Sequence, residues 1–425
     1  MFDTGSTAFM LVCTMLVFLM TPGLAFFYGG LSRRKNVVNT MLMSFAAIGI
    51  VGLVWVIAGW SFAYGGDGSL SWFGGFDRLG LTGLVSQMLG EQASVPEGAV
   101  YPSLINVAFQ MAFAMITAAI ITGSCAGRVR FGAMCAFLVA WALVVYAPLA
   151  HMVWGDEGSL IGGQIGALDF AGGDVVHISS GVTGLILCLT LGGRRGFGLK
   201  TYRPHNVPFV ALGAALLWFG WFGFNGGSEF AADGVAALAI LNTVVASAAG
   251  LASWLVFERV DTGKPTLVGA CTGLVAGLVV VTPGAGFVEP WAAAVMGLVV
   301  SPVCYLAISF LKSHFGYDDA LDAFGCHGVG GILGGVLTGI FCVPELSWTG
   351  QGSLLYTGDA TLLVSQVVGI LVTLAIVIVL DLVLIAVVRG AFGGNLRVSE
   401  KDEALGLDVS VHGESAYPAY TGMDS

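Results

Sequence analysis

The sequence predicts an all-α polytopic membrane protein with eleven spanning helices, and three observations lead there. First, 56% of its 425 residues are hydrophobic and only 10% are charged, with a mean hydropathy of +0.89. A water-soluble domain of this size needs more polar surface than that. Second, eleven apolar runs are long enough to cross a bilayer core of about 30 Å, for which about 20 helical residues suffice. Third, the basic residues fall almost entirely between alternate runs, as the positive-inside rule requires of a correct helix count.

The runs lie near 8–31, 38–64, 103–125, 131–154, 170–192, 206–227, 233–257, 266–282, 289–310, 319–342 and 361–389. Residues 1–7 contain Asp3 and no basic residue, so the first run lacks the positive flank of a secretory signal and is expected to stay as the first helix. With the N-terminus outside, the inner segments hold Arg33, Arg34, Lys35, Arg128, Arg130, Arg194, Arg195, Lys200, Arg203, Arg259, Lys264, Lys312, Arg389, Arg397 and Lys401. Arg78 alone is outside. This partition predicts the N-terminus out and the C-terminus in.

The long outer connection, 65–102, is rich in Gly and Ser and carries Asp67, Asp77, Glu91 and Glu97; a cap over the outer face and a plain surface loop both fit it. The last run exceeds the bilayer thickness and is expected to tilt across the bundle. Asp381, deep within it, is expected to make a hydrogen bond between helices. Residues 1–389 thus form a membrane domain, and 390–425 a polar tail with Glu400, Asp402, Glu403, Asp408, Glu414 and Asp424. By composition alone such a tail fits a disordered segment.

The 64 glycines suit close helix approach. The net charge of −10 comes from acids scattered through loops and tail, which gives nucleic-acid binding no support. Cys13, Cys125, Cys135, Cys188, Cys271, Cys304, Cys326 and Cys342 fall in or at the ends of apolar runs with no paired spacing. They read as small hydrophobes, with neither a disulfide framework nor a metal site expected.

An inverted repeat is visible. Helix 1 ends Phe27-Tyr28-Gly29-Gly30 and helix 6 ends Phe224-Asn225-Gly226-Gly227, while helices 5 and 10 carry Asp169 with His177 and Asp319 with His327. Each aspartate stands eight residues before its histidine. The unit is five helices, about 8–192 and 206–342, so the second copy runs upside down and a substrate path is expected between the halves. Eight residues span about 12 Å of helix, which brings both histidines near mid-depth from opposite sides, close enough to touch. Ionisable groups at that depth are costly and usually functional; the competing interpretation is two unrelated histidines, each hydrogen-bonded to a neighbouring helix. Asp174 and Asp322 are expected as structural acceptors, and Asp318 with Asp319 as a cap for helix 10.

On several stretches the chain resembles the ammonium transporter / Rh family, in its microbial ammonium transporter branch. They are Pro22 to Gly30, Phe109-Gln-Met-Ala-Phe-Ala114, Ala150-His-Met-Val-Trp-Gly155, Gly166 to Gly173, Gly220-Trp-Phe-Gly-Phe-Asn225, Phe324-Gly-Cys-His-Gly-Val329 and the tail segments Leu396 to Glu400 and Gly406 to Tyr417. The resemblance implies a membrane transport domain over 1–389 and no enzymatic activity. It implies an outer recognition site of Phe113, Trp154 and Ser228, a gate of Phe113 and Phe224, and a pore lined by His177 and His327 that passes a proton. Asp169 and Trp221 would support these. Without the resemblance, such aromatics fit ordinary packing or interfacial belts.

The implied substrate is ammonium, conducted as ammonia with or without its proton. No cofactor is implied. The implied partners are two further copies of the chain in a homotrimer and a PII-type nitrogen-signalling protein at a cytoplasmic tail, in the cell membrane of a prokaryote. Asn395 stands where the family has glycine in the hinge before Leu396, which puts hinge mobility in question. Two other functions compete: an ammonium sensor that signals through its tail with little flux, and a haem-based electron carrier, for which two mid-depth histidines are too few.

Overall fold

In the computed structural model, which describes residues 2–85, 100–199 and 202–417, the Asp3 carboxylate accepts from the Ser6 N–H at 2.5 Å. That cap starts the first helix ahead of its apolar run. Glu91, Glu97, Lys200 and Asp424 lie outside the described residues. Among the described residues, eleven helices are long and apolar enough to cross a membrane: α1 (Thr4–Leu31), α2 (Arg34–Tyr64), α3 (Ser103–Ser124), α4 (Phe131–Trp154), α5 (Gly173–Leu191), α6 (Val207–Gly227), α7 (Gly234–Thr262), α8 (Leu267–Gly284), α9 (Pro290–Phe315), α10 (Phe324–Phe341) and α11 (Thr361–Ala391). Among the described residues there is no β-strand, and two isolated bridges pair Val129 with Arg397 and Val288 with Cys342.

Where helix limits differ from the sequence pattern, capping chemistry explains it. α7 and α9 run beyond residues 257 and 310 and stop at Gly263 (φ 80°) and Gly316 (φ 68°), left-handed residues that close a helix. α5 and α10 begin later than 170 and 319 because the chain first makes a turn around a capping aspartate. Both then open with a wide, π-type turn, Gly173–Ile178 and Phe324–Gly328, of the kind that often marks functional sites.

The halves pack alike. α1 lies along α6, α2 touches α3 and α4, α7 touches α8 and α9, and α11 crosses α4, α5 and α10. α5 and α10 cross at two glycines: a Cβ on Gly181 would sit 2.3 Å from the Gly328 nitrogen, so only hydrogen at that position admits so close a crossing. Large apolar side chains such as Leu53, Val256 and Val387 remain more than 60% exposed on the outer surface, as a lipid-facing shell demands. The protein is a multi-pass membrane protein.

The tail is folded. Its helices α12 (Glu400–Leu405) and α13 (Leu407–His412) lie against one end of the bundle. There Val398 N–H donates to Arg128 O at 2.9 Å, and Lys35 Nζ donates to Glu403 O at 2.8 Å. Asn39 N–H donates to Asp408 Oδ1 at 2.9 Å. Asn395 O accepts from Arg130 Nη1 at 3.2 Å, and its own Oδ1 from the Arg397 N–H at 2.9 Å.

Beneath the tail, Arg194 grips Asp318 through Nε and Nη2 at 2.8 and 2.7 Å. This corrects one expectation: Asp318 does not cap α10, because its carboxylate is committed to arginine. Burial pushes that carboxyl up, but Arg194 and then Arg128 outweigh burial and hold it below its ordinary value. At the opposite end, the described part of the long connection does form a cap. Leu160 N–H donates to Ser71 O at 2.8 Å, and the two ring nitrogens of His151 lie 2.9 and 2.8 Å from Ala63 O and Leu70 O.

Candidate functional site

The candidate site is built around two buried aspartates. Asp169 accepts four backbone N–H groups, from Gly172 (2.7 Å), Gly173 (2.6 Å), Asp174 (2.8 Å) and Val175 (3.4 Å), and so closes the first turn of α5. Asp319 does the same for α10, accepting from Ala323, Phe324 and Gly325 at 3.2, 2.8 and 3.4 Å. Both carboxylates satisfy donors that a helix start leaves orphaned. The Asp169 carbonyl also accepts from Trp154 Nε1 at 2.8 Å, which fixes that indole.

Trp154 lines a vestibule of about 860 Å³ together with Phe113, Ser228 and Asp169. The Phe113 and Trp154 rings meet edge to face, 6.1 Å apart at 82°. Ser228 Oγ donates to Phe224 O at 2.8 Å, which leaves its lone pairs as acceptors. At the floor, Phe113 and Phe224 are stacked 4.0 Å apart at 14°.

Below the stack, His177 lies 6.1 Å from the Phe224 ring and 5.4 Å from Trp221, nearly parallel to both. Trp221 and Phe224 are three residues apart and therefore share one face of α6. Trp221 Nε1 is held by Thr282 Oγ1 at 3.0 Å. His177 Nδ1 lies 3.3 Å from His327 Nδ1, and His177 Nε2 has no hydrogen-bond partner among the described residues. The cavity here is only about 10 Å³, lined by both histidines and by Leu24, Phe27, Ile120 and Val275 among others. That is room for about one water-sized molecule. Beyond it, on the tail side, a cavity of about 60 Å³ is lined by Tyr28, Asp322, Cys326 and His327.

The structure therefore brings Phe113, Trp154, Ser228 and Asp169 to one vestibule, stacks Phe113 on Phe224, and gathers Trp221, His177 and His327 around the small cavity that Phe224 also lines. Gln110 and Asn106 were not anticipated. Both line the vestibule, each with a side-chain oxygen that lacks a partner among the described residues. A glutamine one turn before Phe113 in an otherwise apolar helix was the available signal. Trp348 and Thr349 also line it, and nothing local in their segment announces that.

Of the other acidic residues, Asp322 accepts from Lys312 Nζ at 2.6 Å and Asp174 faces Thr373 of α11. Asp381 is fully buried and faces Thr183 and Trp141.

Comparison with known proteins bears on this geometry. The sequence model of the Ammonium Transporter Family matches residues 8–417. The chain is 47% identical to an ammonium transporter of Bacillus subtilis over 413 residues, 97% of this chain and 98% of that one. Its fold is similar to the crystal structure of Saccharomyces cerevisiae Mep2, with a TM-score of 0.85, 33% identity, and coverage of 99% of this chain and 93% of that one. It is equally similar to a solved structure described as a sensor Amt protein, with a TM-score of 0.85, 28% identity, and coverage of 96% and 98%.

Proposed function

Because the chain belongs to the ammonium transporter family, we propose that it recognises ammonium in the vestibule, removes its proton, and conducts ammonia past His177 and His327. One observation carries this proposal: an aromatic vestibule, a stacked phenyl pair and two histidines in Nδ1 contact follow one another through successive ring contacts. Each has a physical task. The faces of Trp154 and Phe113 attract a small cation by about 0.5–2 kcal/mol. The Ser228 hydroxyl and the unpartnered oxygens of Gln110 and Asn106 accept N–H bonds, which distinguishes ammonium from potassium, an ion that donates none.

A bare ammonium ion entering the apolar lumen would bear a large desolvation cost. Transfer of its proton removes that cost, and the freed ammonia fits the narrow cavity. The histidine pair shares the proton and passes it on or holds it, so the measurement that matters is whether charge moves with nitrogen.

We place the N-terminus and the vestibule outside and the tail in the cytoplasm of a prokaryotic cell, supported by the distribution of Lys and Arg. A homotrimer and a PII-type partner at the tail complete the proposal. A sensor with little flux is the second interpretation, favoured by the likeness to a structure described as a sensor. Proteoliposomes separate the two. Ammonium-dependent current together with a change in internal pH supports transport, and saturable ammonium binding without either supports the sensor.

A further inference from the structure

The two halves of the repeat differ at one position on the path. Three residues after each capping aspartate the backbone turns left-handed, at Gly172 (φ 118°) in the first half and Asp322 (φ 61°) in the second. Glycine adopts that conformation freely, whereas aspartate does so under strain that the surrounding contacts must offset. In the first half a side chain is not tolerated. A Cβ on Gly172 would lie 2.6 Å from Val176 Cγ2 and 3.6 Å from Trp154 Cη2, against the wall of the vestibule. In the second half there is a side chain, and it is a carboxylate.

Because the repeat is inverted, Asp322 occupies at the tail end of the path the place that Gly172 occupies at the vestibule end. It lines the 60 Å³ cavity that His327 also lines. Its Oδ1 lies 2.6 Å from Lys312 Nζ, and the two side chains are 33% and 17% exposed. The neighbouring charges are already engaged: Asp319 on the backbone N–H groups of α10, and Asp318 with Arg194. The group resting on Asp322 is thus an alkylammonium, the closest side-chain likeness of ammonium itself.

We propose that Asp322 receives ammonium at the cytoplasmic end of the path, in exchange with Lys312. The proposal rests on the transport function above. Ammonia leaving the lumen takes a proton from the protonated histidine pair: a new N–H bond forms from the ammonia lone pair as the imidazolium N–H breaks. The pair is left neutral, and the new cation is met by the Asp322 carboxylate. Lys312 competes for that carboxylate, so the ion is released to the cytoplasm and does not stay bound.

The test uses the full chain in proteoliposomes, with current and ammonium uptake normalised to folded protein, external ammonium as the driven species, and internal ammonium varied. Asp322→Gly gives the second half the residue of the first and keeps the left-handed turn. It is expected to lower turnover about tenfold, the size of losing one hydrogen bond to a charged group, with the external concentration dependence unchanged. Lys312→Met is expected to make transport several-fold more sensitive to inhibition by internal ammonium, a response that a purely structural ion pair would not produce. Should Asp322→Gly fold poorly, Asp322→Asn, which also tolerates the turn, gives the same reading. Parent-level turnover in either folded variant, or unchanged internal inhibition in Lys312→Met, overturns the role of Asp322. A parent protein without flux overturns the transport function instead.

Discussion

The imidazoles of His177 and His327 meet through their Nδ1 atoms at 3.3 Å, deep in the bundle and both nearly fully buried. Two like atoms at that distance form a hydrogen bond only if one ring donates and the other accepts, so a neutral pair must hold its rings in opposite tautomers. Replacing either histidine with asparagine is expected to reduce charge movement per folded protein by more than tenfold, while the vestibule still binds ammonium. The double variant should cost little more than either single one, as groups acting as a unit do. Parent-level current per folded protein in His177→Asn would remove the proton relay from the mechanism.

The indole of Trp154 is fixed by the Asp169 carbonyl and faces the vestibule. Trp154→Leu should weaken apparent ammonium affinity by about 1 kcal/mol through lost cation–π attraction, with thermal stability close to the parent. Equal half-saturation in concentration-dependent currents would dismiss the recognition role.

At the crossing of α5 and α10 a methyl group is expected to act at a distance. Gly181→Ala presses a Cβ against the Gly328 backbone, and overpacking of this kind costs about 1–3 kcal/mol. The histidine contact should open and current per folded protein should fall. Gly49→Ala, where no atom of the described residues lies within 4 Å of an added Cβ, serves as the control and should leave current unchanged without lowering the melting temperature.

The Asp318 carboxyl titrates below its ordinary value in the folded protein. Its contribution is therefore fully present above the ordinary carboxylate range and is lost as pH falls through that range and below. Breaking this buried pair with Asp318→Asn should cost about 3–5 kcal/mol near neutral pH. Thermal unfolding in detergent should show the gap between parent and variant closing as pH drops below about 4, the ordinary carboxylate range. A gap independent of pH would mean that charge is not the source.

Orientation is tested by labelling. A cysteine at Thr349 should react only with reagent added outside and one at Leu199 only from inside; both positions are exposed. Reaction of both from the same side would break the assignment of the vestibule to the outer face.

The number of helices, their order and the inverted repeat were legible in the sequence because each is a local property: hydropathy over some twenty residues, charge between runs, an aspartate eight residues before a histidine. The depth argument even brought His177 and His327 together, since helix rise alone sets the height of each. The identity of the aspartate that caps α10 needed the fold, because Asp318 and Asp319 are adjacent and alike, and Arg194, far away in sequence, claims the first. Gln110, Asn106 and Trp348 joined the vestibule for the same reason. Their role depends on which faces of α3 and of the segment before α11 meet, and a single chain's periodicity does not encode that. The tail, polar enough to fit a disordered segment, is ordered because Lys35, Asn36 and Arg128 offer partners to its backbone. The two glycines that let α5 and α10 touch gain their meaning only at the crossing, where distance between helices, a purely tertiary quantity, decides whether two buried rings can share a proton.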